Sequence, residues 1–169
     1  MGVTIHFSGK LGSPSALDQL ISQVSSFAEK HGWPVWPIVE DLVTLNRVIN
    51  EQDVEYVGPI RGIGVQPHKD AEPLQFEVDD SLFVQDYCKT QFAGSETHKT
   101  IVELMRRLEP LFVELDIYDE AEYWDTGDEN LLCNNIEQVD RMINKVIKEH
   151  PGARGPVRLA SGRIADIVE

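Results

Sequence analysis

The chain lacks the segments that would tie it to a membrane or to a secretory route. None of its 169 residues fall in a run of about 18 apolar positions, so no membrane-spanning helix is expected. The opening MGVTIHFSGK has no basic stretch ahead of a long apolar one, so it does not read as a secretory leader. Cysteine is scarce. Cys88 and Cys133 make no disulfide framework, and a reducing cytoplasm is the expected setting. Glycine-rich phosphate loops, zinc-ligand spacings and nucleophile elbows are missing too, so no cofactor and no metal are expected. The scarcest feature is positive charge: 15 Lys and Arg face 29 Asp and Glu, a net charge of −14. Such a balance repels DNA and RNA and attracts basic partners or hard cations. Hydrophobic residues make up 41% of the chain, enough for the packed core of one domain.

The acids are clustered. Residues 70–88 carry Asp70, Glu72, Glu77, Asp79, Asp80 and Asp86 and no base. Residues 113–140 carry ten acids and no base, while residues 141–163 carry six bases and one acid, Glu149. A solvated face that keeps the protein in solution explains such runs, and so does a surface for a basic partner.

Hydrophobic periodicity marks the elements. Val3, Ile5 and Phe7 alternate with polar residues, a strand signature. Ser13-Pro14 opens a helix with Leu17, Leu20, Ile21, Val24 and Phe27 on one stripe, and Gly32 stops it. Residues 33–66 are broken by Pro34, Pro37, Gly58, Pro59, Gly62 and Gly64. Candidate strands lie near Thr44–Ile49 and Val54–Val57, joined by a polar turn, with a short one at Ile63–Gln66. Leu74, Phe76 and Val78 alternate, Asp79-Asp80-Ser81 turns, and Leu82–Lys89 returns as the second arm of a β-hairpin. A helix carries Ile101, Leu104, Met105 and Leu108. Val113, Leu115 and Ile117 form another strand. Thr126-x-x-Glu129 fits a capping box for a last helix with Leu132, Ile136, Val139 and Ile143, ending near His150-Pro151-Gly152.

This order predicts an α+β fold: a two-layer sandwich of one mostly antiparallel sheet, about five to six strands, with three amphipathic helices on one face. Residues 1–150 form the domain, and 151–169 an extended or loosely ordered basic tail. Arg154, Arg158 and Arg163 in that tail could lie across the acidic surface of the same chain or of another copy, the latter giving an oligomer held through the tail.

If the oily side of each strand meets the helices, alternation turns Thr4, His6, Ser8, Gln75, Glu77, Glu114, Asp116 and Tyr118 to the opposite side. This face is either wet or a binding surface. The leading expectation is a regulatory or interaction module that binds a basic protein through Glu77, Asp79, Glu114, Asp116, Tyr118, Glu122 and Trp124. The alternative is a small enzyme using His6, Glu77 and Asp116 for acid–base chemistry on the same face. A third is a divalent-cation binder built on Asp116-x-x-Asp119-Glu120-x-Glu122-x-x-Asp125-x-x-Asp128-Glu129, although the spacing of a calcium loop is absent. Cys88 and His98 are close enough in sequence for a Cys–His pair, but nothing local would activate the thiol. The segment from Gln85 to Ser95 leads into a helix N-terminus, where Lys89 and Thr90 could assist an anion.

Overall fold

The computed structural model describes residues 2–169. β1 (Thr4–Leu11) leads through Gly12 to α1 (Pro14–His31). Ser13 caps α1, its Oγ accepting from Ala16 N at 3.1 Å, and Gly32 ends it in the left-handed region at φ 68°. β2 (Val35–Ile49) and β3 (Gln52–Val65) run antiparallel from Val35↔Val65 to Ile49↔Gln52. Both are far longer than the broken sequence suggests. Pro37 is accommodated because β2 is an edge strand with one side unpaired, and Pro59 falls opposite a register shift between Glu40 and Val43. Asn50 and Glu51 make the connecting turn, both at positive φ.

β4 (Leu74–Asp79) pairs only with Ile60–Val65 of β3. Residues 43–49 and 52–58 therefore continue past it as a two-stranded arm. β5 (Phe83–Lys89), α2 (Ser95–Leu108), β6 (Phe112–Asp119), α3 (Tyr123–Thr126) and α4 (Glu129–Glu149) follow, then a small ribbon of β7 (Val157–Arg158) and β8 (Ile164–Ala165).

The class is α+β with antiparallel sheets, but the expected single sheet is divided. Among the described residues there are three sheets, ordered β5-β1-β6, β2-β3-β4 and β7-β8, and four helices rather than three. The division falls between β4 and β5, which are joined by a tight turn yet share no backbone ladder. Side chains serve the strands' polar groups there instead. Arg47 of β2 donates from Nη1 to Gln85 O (2.9 Å) and from Nη2 to Glu77 O (3.0 Å), and Asp86 accepts from Gln75 N at 3.3 Å. Asp79 holds the turn by accepting from Ser81 N, Ser81 Oγ and Phe83 N. The added helix is α3, a single turn whose Trp124 N donates to Asp119. The cap of α4 is Asp128, which accepts from Asn130 N and Leu131 N, rather than Thr126.

Ile5, Phe7 and Leu11 of β1, with Leu74, Phe76 and Val78 of β4, meet the stripes of α1 and α2 in the main core. A register shift beside Leu11 brings Phe112 opposite it and leaves Val113, expected to face inward, exposed. α4 instead packs Leu132 and Ile136 on Val3 and Ala121, which flank β1 and β6, in a second small core. Residues 163–166 of the C-terminal segment are bonded to β5, and Arg158 to the loop before β4. Arg163 bonds Glu72 (3.2 Å), Asp86 (2.5 Å) and Tyr87 O (2.7 Å), and Arg158 bonds the carbonyls of Lys69 and Ala71. Among the described residues no helix is long and apolar enough to cross a membrane.

Candidate functional site

The outer face of the β5-β1-β6 sheet carries the polar half of each strand's alternation. His6 stands opposite Tyr87 on one side and Tyr118 on the other, and Ser8 opposite Gln85 and Asp116. Both tyrosine rings lie 5.7 Å from the His6 ring, centroid to centroid. α4 borders this face at its Tyr118 end, where Asn135, Gln138, Val139 and Met142 share a groove with Tyr118 and Glu120. The far arm of β2–β3 leans over part of the face, so Leu45, Asn46, Arg47 and Val48 look across a cleft of about 530 Å³ at His6, Ser8, Tyr87, Asp116 and Tyr118. The chain itself therefore roofs part of the face that alternation turns away from the core.

Two side chains fix that roof. The Gln85 amide bonds both backbone groups of Val48, at 2.8 Å each, as a neighbouring strand would. Arg47 is 4% exposed and closes the gap beneath, its guanidinium 5.4 Å from the Phe83 ring. Its Nε is the one buried side-chain N or O atom without a hydrogen-bond partner among the described residues. Burial lowers its pKa, against the pull of Asp79, Glu77 and Asp86. Burial likewise raises the Glu77 carboxyl above its ordinary range, helped by Asp86 and opposed by Arg47 and Arg163. Asp86 is raised by burial too, with Arg163 pulling the other way.

The structure brings some of the sequence candidates together and separates others. His6, Glu77, Asp116 and Tyr118 line the one cleft. Glu114 stands two residues from Asp116 on the same strand face, exposed and opposite Lys10. Asp79 is buried in its turn, 3.9 Å from Arg47, rather than on the outer face. Trp124 lies elsewhere, under the Arg106 guanidinium (3.4 Å) in a groove between α2 and α3, and Glu122 precedes α3 at its N-cap. Of the three acid–base candidates, no two are joined by a hydrogen bond. His6 instead meets Glu120 at 3.4 Å.

The acid run disperses. Asp116 faces the cleft, Asp128 caps α4 and Glu129 pairs with Lys99 at 3.1 Å. No group of three or more His, Cys, Asp or Glu among the described residues is placed to hold a metal ion. Cys88 and His98 do not pair. Cys88 Sγ bonds Glu72 O at 3.2 Å, and burial pushes its thiol pKa far up. Lys89 is taken by Asp166 (2.9 Å), so it is not offered to an anion.

Sequence reasoning missed a buried relay. Thr90 Oγ1 lies 2.8 Å from His98 Nδ1, and His98 Nε2 lies 3.0 Å from Asp119 Oδ2. Asp119 also accepts from Ala121 N and Trp124 N. Burial works to raise the Asp119 pKa, but these donors win and hold it below its ordinary value. The order hydroxyl, imidazole, carboxylate is that of a hydrolase, yet Thr90 and His98 have no exposed surface and no substrate can reach them. The relay instead clamps the end of β5, the start of α2 and the end of β6. Positions 90, 98 and 119 share no local pattern that could have revealed it.

Comparison with protein-family models, with curated proteins and with solved structures finds no match for this chain.

Proposed function

We propose that this chain is a binding module, and that a basic segment of a partner protein lies on the outer face of β5-β1-β6, entering the cleft beneath the β2–β3 arm. The carrying observation is the open half of that face. Glu114, Asp116 and Tyr118 are exposed in a row, and neither carboxylate has a hydrogen bond or salt bridge among the described residues. Glu77, at the roofed end, has no hydrogen bond to its carboxylate either. Opposite charge would speed encounter with a basic partner and set its register. The unpaired thiols of Cys88 and Cys133 suit a cytoplasmic protein. An oligomer formed through the tail would draw on Arg154, since Arg158 and Arg163 are bonded within the chain.

The test is affinity capture from native lysate at low and high salt, with wild-type chain beside an Asp116→Asn, Glu114→Gln variant. Basic proteins should be held by the wild type, released as ionic strength rises, and lost by the variant. Capture that ignores both salt and the substitutions contradicts the reading.

A second reading is favoured by one observation: the raised carboxyl of Glu77 shares a cleft with His6 and Asp116. A proton held closer to neutrality is what a general acid needs. Loss of a measured turnover in Glu77→Gln, with partner capture intact, would support an enzyme over a binding module.

A further inference from the structure

β1 is flanked on both sides by antiparallel strands, and each places a tyrosine beside His6 on the outer face. His6 pairs with Tyr87 of β5 and with Tyr118 of β6. On the β5 side the seat is filled from within. The Arg163 guanidinium lies 3.8 Å from the centre of the Tyr87 ring and bonds the Asp86 carboxylate at 2.5 Å and Tyr87 O at 2.7 Å. On the β6 side the tyrosine is 64% exposed, and Asp116 stands two residues away on the same strand face; among the described residues no guanidinium lies over that ring and nothing bonds that carboxylate.

We infer that Tyr118 and Asp116 form a seat for an arginine side chain carried by a basic protein segment, offering a ring and a carboxylate together as Tyr87 and Asp86 do to Arg163, with the carboxylate here two residues from the ring on the same face rather than adjacent to it. This rests on the binding reading above and names the residue that the partner supplies. Same-face residues of a strand are about 7 Å apart, so a planar guanidinium can lie on the ring while its N–H edge reaches the carboxylate. A lysine ammonium is a compact, strongly hydrated point charge and gains less from a ring face and a carboxylate together. A divalent cation would want more carboxylates than converge here. The charge of −14 favours an arginine that arrives among other bases.

The probes are three blocked peptides of Gly and Ser that differ at one central residue: arginine, lysine or citrulline. Each is titrated into the isotope-labelled full chain, and amide resonances are followed by NMR up to about 10 mM peptide, which detects dissociation constants near 1 mM. The arginine peptide should shift Asp116, Tyr118 and His6 saturably. Lysine should bind about threefold more weakly or worse, and citrulline should not bind. Tyr118→Ala and Asp116→Asn, both exposed and safe for folding, should each weaken the arginine peptide at least about threefold. Equal response to arginine and lysine on this face overturns the arginine seat and leaves the basic-partner reading standing. A flat titration with both peptides overturns both. Concentration-dependent shifts of the same amides without peptide would make a second copy the occupant and overturn the inference.

Discussion

Truncating Arg47 to alanine should release the arm and cost about 3 kcal/mol. The guanidinium makes two charge-assisted bonds, to Gln85 O and Glu77 O, in a setting where it is 4% exposed. Each such bond contributes about 1.5–3 kcal/mol, and its loss leaves a carbonyl facing an emptied gap. Against that stands the cost of keeping Arg47 charged and buried with Nε unpartnered, which its lowered pKa reports. The difference is a net loss of about 3 kcal/mol, or a fall in Tm of about 6–12 °C for a chain of this size. Urea denaturation measures the loss. Hydrogen exchange adds the location: amides of residues 43–58 should exchange faster than those of β1. Arg47→Met, which keeps the stem and drops the charge, should lose less. A loss below about 1 kcal/mol in the alanine variant, with exchange in the arm unchanged, would refute the claim that Arg47 joins the two sheets.

Asp119 is held below its ordinary pKa, so its contribution is fully present above the unfolded value near 4 and is lost as pH falls through the folded value. Asp119→Asn should therefore cost about 2–4 kcal/mol at pH 7 and flatten the acid limb of a Tm-against-pH curve, and a limb as steep as wild type would contradict this. Glu77 runs the other way: its carboxyl is raised, so stability declines as pH rises from the unfolded value through the folded one. Glu77→Gln should raise Tm at pH 7 and match wild type at low pH; a lower Tm at pH 7 would oppose the reading. Glu51 sits at φ 62° in the arm's turn, a conformation that favours glycine, and Glu51→Gly should stabilise by about 0.5–1 kcal/mol in denaturant titration.

Much of the fold was legible where one residue type answers one local demand. Ser13, Pro14 and Gly32 punctuate α1, and the alternation of Ile5 with Phe7 and of Leu115 with Ile117 marks inner strand faces. β2 and β3 were not, because their prolines and glycines answer distant neighbours. Gly64 lies beneath the Trp36 ring, where any Cβ would overlap it, and Gly62 lies against Phe76 O in the same way. The division of the sheet was hidden for a similar reason. Arg47 reads as one more exposed base on a strand, and only the folded arm shows it inserted between β4 and β5. Alternation did place His6, Asp116 and Tyr118 on the outer face. It could not show that Asp79 turns inward to cap its own loop, nor that Trp124 lies under Arg106 on another side.

The central claim is that the outer sheet face is where this chain meets a basic partner. It is tested most directly by hydrogen exchange of the chain with a captured partner bound. The account predicts new protection at residues 114–118 and along the arm at 44–48, with the groove between α2 and α3 unchanged. Protection confined to that groove, or to the outer surface of α4, would contradict it.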